Sequence, residues 1–312
     1  MPRTLLHIKH WPSWFAVLVF RLFALLPLPA QFGVARWLGL LAHHLLKRRR
    51  HIAEVNIHLC FPELNAEQQA QLVRDNFIST AYGVVELGLC WWASDQKILA
   101  ISQVSGMEKM QEVQQQGRGV LLLGAHFTSL DLSGRVLGIR CKADATYKEQ
   151  RNPVFDYMVL RSRQGFVDYP IRKNAMRQMI KRLKNGHIVW HAPDQDFGSK
   201  GSVFVPFFHH PAATLANIGK IIKLSNAKVL FYSHFRKQDE QGRLYWQGEI
   251  FDPFKDGFGE DETANAALFN RALADVIRQH PEQYLWLHER FRTQELGREH
   301  RPYTIRKKKK KH

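Results

Sequence analysis

At 312 residues the chain is long enough for one large catalytic domain, and its three cysteines (Cys60, Cys90, Cys141) are too few and too scattered for a disulfide framework or a zinc site. Its formal charge of +17 sits at the two ends: residues 1–50 hold eight Lys or Arg and no acid, and residues 301–312 hold seven more, leaving 30 basic against 28 acidic residues between them. A nucleic-acid binder would carry its basic stripe on the folded body, so this near-neutral middle argues against nucleic acid as a partner.

The first element in chain order is apolar. Trp11 to Pro29 (WPSWFAVLVFRLFALLPLP) has about the length that crosses a bilayer core, interrupted by Arg21 and closed by Pro27 and Pro29. It predicts an N-terminal membrane helix, either spanning with Arg21 snorkelling or facing protein, or lying in one leaflet as a hairpin or interfacial helix. A second amphipathic stretch, Phe32–Leu46, leads into Lys47-Arg48-Arg49-Arg50, a cluster suited to an anionic, cytoplasmic membrane face. Residues 1–50 thus read as a membrane anchor with a basic juxtamembrane segment, 51–300 as a catalytic domain and 301–312, with Lys307–Lys311, as a basic tail.

Apolar residues at Leu72, Phe77, Ala81, Val84, Val85 and Leu89 recur at a helical period and predict a helix over 66–92. Strands and helices then alternate: strand 120–125, helix to 137, strand 145–148, helix 154–163, strand 166–169, helix 175–183, strand 187–192, helix 215–224, strand 228–235, an edge strand 244–251 and helix 262–278. The order predicts an α/β fold, a mixed or parallel sheet flanked by helices.

In such sheets chemistry gathers beyond the carboxyl ends of strands. GAHFTSLDLSG (124–134) and DQDFG (194–198) stand at two such ends and could face one cleft. Positions five apart on one helix diverge by about 140°, so His126 and Asp131 meet only if His126 precedes the helix. With Thr128 or Ser129 as cap, Asp131 falls in the first turn, where its carboxylate can accept the imidazole N–H and free the other nitrogen for a proton. No GxSxG elbow suggests an acyl-enzyme and no phosphate-cradling GxxxxGK[ST] is present, so direct attack by a substrate hydroxyl on an activated acyl group fits best. Arg161 and Arg163 are candidates to stabilise the thioester oxygen.

These segments resemble the late acyltransferases of lipid A biosynthesis, the lauroyl/myristoyl acyltransferase family of Gram-negative inner membranes. The resemblance rests on GAHFTSLDLSGR (124–135), RNPVFDYMVLRSR (151–163), APDQDFGSKGSVFVPFFHHPAAT (192–214), PEQYLWLHERFRT (281–293) and the N-terminal membrane segment, nearly the whole chain. It implies transfer from acyl-carrier protein to a hydroxyl of an acylated, phosphorylated disaccharide, with His126 and Asp131 as the catalytic pair and Arg163 and Asp194 as site residues. Asp131 stands where many members have glutamate, and Gln294-Glu295 replace the usual Arg-Pro. The glycerolipid acyltransferases share His-x4-Asp, but they usually have Asn before the histidine and a later Pro-Glu-Gly; here Ala125 precedes His126, and Pro-Asp-Gln-Asp fills 193–196.

Other residues fit a lipid substrate. Phe204, Phe207 and Phe208 either line an acyl groove or belong to the core. Lys173, Arg177, Lys181, Arg182 and Lys184 cluster on one helix that could receive an acidic carrier protein or a phosphate, or simply face solvent. Asp194 and Asp196 could hold Arg163 or contact sugar hydroxyls. The expected enzyme uses no metal or organic cofactor and takes acyl-carrier protein, a lipid A precursor and the membrane as partners. The rival from another class, a non-catalytic membrane-surface adaptor, explains the basic ends but not His126, Asp131 and Arg163.

Overall fold

The computed structural model describes residues 2–147, 149–172, 175–254 and 257–304. Helices α1 (Trp11–Phe23), α2 (Leu28–Leu45), α3 (Lys47–Cys60), α4 (Ala66–Trp92) and α5 (Asp95–Ala100) come first. Strand and helix then alternate: β1 (Ser102–Ser105), α6 (Met107–Gln115), β2 (Val120–Leu123), α7 (Leu130–Arg140), β3 (Ala143–Tyr147), α8 (Pro153–Arg163), β4 (Val167–Arg172), α9 (Met176–Lys184) and β5 (Ile188–His191). A hairpin of β6 (Ser202–Phe207) and β7 (His210–Leu215) precedes α10 (Ile218–Ser225), β8 (Lys228–Gln238), β9 (Leu244–Phe251) and α11 (Glu262–Gln279).

The seven-stranded sheet has the order β1-β9-β8-β2-β5-β3-β4. Its pairs are parallel except β8–β9, so the sheet is mixed. The four residues of β2, Val-Leu-Leu-Leu, are buried on both faces, as a central parallel strand between layers of helices requires. The 66–92 helix lies where its periodicity puts it, started by a capping box in which Asn65 and Gln68 satisfy each other's backbone N–H. Two predicted details differ. Strand β9 is not at the edge, because the short, patternless β1 pairs outside it. The 202–215 segment forms the β6–β7 hairpin, which leaves Phe207 in the core and Phe208 at φ 54 in the turn, beside Trp286 and under the Arg278 guanidinium. Of the predicted strand 145–148, Lys148 lies outside the described residues, as do Lys173 and the Lys307–Lys311 run.

The spanning N-terminal helix is not found: among the described residues, no helix is long and apolar enough to cross a membrane. Proline explains the break. The apolar run divides at Leu26-Pro27, α1 ends after 13 residues and α2 starts anew with Pro29 in its first turn. Thirteen residues rise about 20 Å against a hydrocarbon core of about 30 Å. Arg21 faces protein, its guanidinium 5.3 Å from the centre of the Trp92 ring. Helix α2 packs against α4 so closely that a Cβ on Gly39 would lie 2.7 Å from the Ile78 Cα. The other faces of α1 and α2 expose Trp11, Phe15, Leu18, Leu22, Trp37 and Leu45.

Under the sheet's central strands, α4 and β8 share a buried ion pair. Arg236 Nε donates to Glu86 Oε1 at 2.5 Å, Trp246 Nε1 donates to the same oxygen at 2.8 Å, and Arg236 Nη1 reaches Ser79 Oγ at 3.3 Å. Burial raises the Glu86 pKa, opposed by Arg236. Removing one partner strands the other charge in the interior. Glu86→Ala is therefore expected to lower the free energy of denaturant unfolding by about 3–5 kcal/mol, and a loss below about 1 kcal/mol would show that Arg236 finds water or another partner.

Candidate active site

Strand β2 ends at Leu123, and the chain turns before α7 begins at Leu130. The turn is tightly held. A Cβ on Gly124 would lie 2.6 Å from Trp190 Nε1, and one on Gly83 of α4 would lie 2.4 Å from the Thr128 carbonyl oxygen, so only glycine fits at either point. The segment 281–293 clamps the other side. Phe127 and Tyr284 form an antiparallel bridge, Thr128 N–H donates to the Gln283 carbonyl at 2.8 Å and Leu285 N–H to the His126 carbonyl at 3.1 Å. His126 is thus fixed before the helix, as its spacing to Asp131 requires.

The partner of His126 is Asp194 rather than Asp131. His126 Nδ1 lies 2.7 Å from Asp194 Oδ1, and the His126 backbone N–H donates to Asp194 Oδ2 at 2.9 Å. The Tyr284 hydroxyl donates to Oδ2 from 3.1 Å. Burial pushes the Asp194 pKa upward, but His126 and these donors bring it down to about 2. An ionised carboxylate only accepts, so Nδ1 carries the proton. The imidazole is 27% exposed, and its Nε2 has no hydrogen-bond partner among the described residues. Burial opposes the charged imidazole, but Asp194, helped by Asp131, outweighs it and raises the His126 pKa.

Asp131 does fall in the first turn of α7, where its Oδ1 accepts from Arg163 Nη2 at 2.9 Å. The correction is geometric: Nδ1 faces the loop after β5, while Asp131 faces the end of α8. The expected caps differ too. Ser129 Oγ turns to His234 Nδ1 at 3.0 Å and Thr128 Oγ1 to Ser79 Oγ at 2.7 Å, so neither hydroxyl caps α7.

Arg161 is not brought to this group. Two residues apart on a helix point about 200° apart. Arg163 reaches Asp131 and lies 5.9 Å from the centre of the Tyr147 ring, whereas Arg161 lines a cavity of about 260 Å³ with Trp91, Trp92, Met158 and Phe166. Asp196 is also committed elsewhere: buried, it accepts from Thr293 N–H at 2.6 Å, Thr293 Oγ1 at 2.8 Å and Gly198 N–H at 2.9 Å. It holds the turn after the 281–293 segment rather than Arg163 or an open cleft.

Sequence reasoning missed two histidines of the neighbouring strands. His191 and His234, on β5 and β8 beside β2, are buried, and burial lowers their pKa values to about 4 and about 3. They stay neutral beside a His126 that must charge. Of the basic helix α9, Arg182 turns inward to Asp144 and Asp168 at 2.6–2.9 Å, while Arg177, Lys181 and Lys184 stay exposed on one face. Asp144, Asp168 and His187 are close enough to share a cation, and the Arg182 guanidinium is already bonded to all three side chains.

The family model described as bacterial lipid A biosynthesis acyltransferase matches residues 2–293. The chain is 37% identical over 297 residues to the lipid A biosynthesis palmitoleoyltransferase of Escherichia coli K12, covering 95% of each chain. It is 36% identical to the lauroyltransferase of the same organism over 94% of this chain and 95% of that one, and 28% identical to its myristoyltransferase over 95% and 91%. Among solved structures, a 1-acyl-sn-glycerophosphate acyltransferase of Thermotoga maritima overlaps with a TM-score of 0.35 and 14% identity over 75% of this chain and 95% of that one, a score too low to carry an argument. A match of this extent, spanning the His126 turn, the Asp194 loop and the clamping 281–293 segment alike, means that the chain belongs to the bacterial lipid A biosynthesis acyltransferases.

Proposed function

We propose that the protein transfers a fatty acyl chain, of the lauroyl, myristoyl or palmitoleoyl class for which its relatives are named, from acyl-carrier protein to a hydroxyl of a phosphorylated lipid A precursor. The observation that carries the mechanism is His126 Nδ1 on Asp194 at 2.7 Å with Nε2 left without a hydrogen bond among the described residues. Nε2 takes the proton of the acceptor hydroxyl as its oxygen attacks the thioester carbonyl. The C–O bond forms, the C–S bond breaks, and the imidazolium returns its proton to the departing thiolate. Asp194 stabilises the transient imidazolium, and no acyl-enzyme forms. Arg163, oriented by Asp131, offers a guanidinium to the developing oxyanion or to a charge of the acceptor. The exposed Arg177, Lys181 and Lys184 give the acidic carrier protein a basic face.

The bared faces of α1 and α2 support membrane binding without spanning. Trp11 and Trp37, each 62% exposed, Phe15, Leu18 and Leu22 are apolar surface that a soluble face seldom shows, and Lys47–Arg50 follow directly. We place the protein on the cytoplasmic face of the bacterial inner membrane, lying in one leaflet.

His126→Ala is expected to lower transfer from acyl-carrier protein to a lipid A precursor by about two to four orders of magnitude, and to melt below wild type because the buried Asp194 carboxylate loses its ring donor; near-normal turnover in the folded fraction would sink the general-base role. Arg163→Lys should recover only part of what Arg163→Ala loses, since a point charge cannot reproduce the fork that meets Asp131. Full recovery would leave Arg163 a mere charge. Trp11→Ser with Phe15→Ser and Trp37→Ser should shift most of the protein off vesicles containing anionic lipid, as read by flotation. Undiminished flotation would place the membrane contact elsewhere.

A further inference from the structure

Beyond the His126 turn lies a second concavity, a cavity of about 610 Å³ lined by Ser199, Arg292, Thr293, Gly297, Arg298 and Arg301, among others. Three guanidiniums converge on it. Arg292 Nη2 is spent in part on the Asp196 carbonyl at 3.4 Å, with the Asp196 carboxylate 3.6 Å away. Arg301 uses Nε on the Arg292 carbonyl at 2.9 Å, which leaves its two terminal nitrogens. The Arg298 side chain has no hydrogen bond or ion pair among the described residues. Facing them, the Asp196 carboxylate is buried and saturated by Thr293 and Gly198, and the Glu299 carboxylate lies against Gly297 and within 3.8 Å of His300. The cavity is therefore net positive on a body that is otherwise close to neutral.

Two connections tie it to the chemistry. Asp196, which anchors its wall, is two residues from Asp194, and Gly198 on its rim is four; four residues span at most about 14 Å. On the other side the 281–293 segment meets the start of α3, where Arg48 Nη2 pairs with Glu289 Oε1 at 3.2 Å and Arg49 Nη1 donates to the Leu287 carbonyl at 3.0 Å. Helix α3 follows directly on the exposed apolar end of α2 at Leu45 and Leu46. The cavity is thus joined by short stretches of chain both to the carboxylate that holds the imidazole and to the segment that meets α3.

We propose that this cavity is an anion subsite that binds a phosphate monoester of the acceptor, gripped by Arg298 and Arg301 and held in register with His126 through Arg292 and Asp196. A planar guanidinium meets two phosphate oxygens at once, and a pair of them matches a group of charge near −2. The inference rests on a phosphorylated acceptor being the substrate, and it names where one phosphate goes.

The test uses Arg298→Gln and the double variant Arg298→Gln/Arg301→Gln in the full chain. Because the Arg298 side chain bonds nothing among the described residues, the single variant should melt with wild type. Its KM for the phosphorylated acceptor should rise about ten-fold, the loss of one charge-assisted contact, with kcat within two-fold and the KM for acyl-carrier protein unchanged. With an acceptor dephosphorylated enzymatically the penalty should vanish. A KM rise for the carrier instead would assign the site to the phosphodiester of the donor's prosthetic arm and overturn the proposal, as would an equal penalty on the dephosphorylated acceptor. Inorganic phosphate titrated calorimetrically reads the site without turnover: the double variant should bind it at least five-fold more weakly, and equal binding would also overturn the proposal. If wild type bound phosphate through these arginines but acylated no phosphorylated disaccharide, the subsite would stand and the functional reading would fall.

Discussion

One buried carboxylate organises this protein. Asp194 accepts three hydrogen bonds, two from His126 (ring and backbone) and one from the Tyr284 hydroxyl, and so ties together segments that would otherwise have no reason to be near one another. The end of β2, the loop after β5 and the segment 281–293 are remote in sequence and meet at this group. A buried ion is costly unless its lone pairs are filled, so the carboxylate demands all three donors and the fold supplies them. The same bonds select the imidazole tautomer and leave Nε2 open.

The surroundings make that arrangement rigid. Glycines at 83 and 124 let α4 and Trp190 approach the turn at distances no Cβ would tolerate. Behind it, Ser79 links Thr128 to the Glu86–Arg236 pair, so the turn is bonded to the interior as well as to the 281–293 segment. Asp196, two residues from Asp194, does for Thr293 what Asp194 does for Tyr284. The 192–198 loop therefore joins two places with one stretch of chain. One is the imidazole, and the other is a cavity lined with arginine. Precise placement of this kind is what proximity-driven transfer needs, since a misplacement of about 1 Å can cost two orders of magnitude in rate.

Much of this was legible from residue types. Helix 66–92 and a strand over 120–125, observed as Val120–Leu123, announce themselves by a clean helical period and a continuous apolar run, and the strand–turn–helix around GAHFTSLD puts His126 outside the helix. What was not legible is long-range. Nothing local tells whether the carboxylate five residues along or the one 68 residues along reaches Nδ1, and spacing alone points to the nearer. Asp131 and Arg163 were both singled out, yet that they bond to each other depends on how α7 and α8 cross. The β1 edge strand escaped because Ser-Gln-Val-Ser has no pattern, and the hairpin at 202–215 because its phenylalanines suit a core and a groove equally. At the N-terminus composition suggested a span, while two prolines determined two short helices.

The claim on which the account turns is that Asp194, and not Asp131, sets the state of His126. Nitrogen-15 NMR of the imidazole ring reads this directly. In the wild type the ring should titrate above the ordinary histidine value, and on the alkaline side of that titration Nδ1 should be protonated and Nε2 bare. Asp194→Asn removes the strongest opposing charge, so burial should prevail and the pKa should fall well below the wild-type value, with the tautomer preference lost. Asp131→Asn should leave the tautomer unchanged and lower the pKa less. A ring that keeps its tautomer and pKa without the Asp194 charge, but loses both without that of Asp131, would contradict the account.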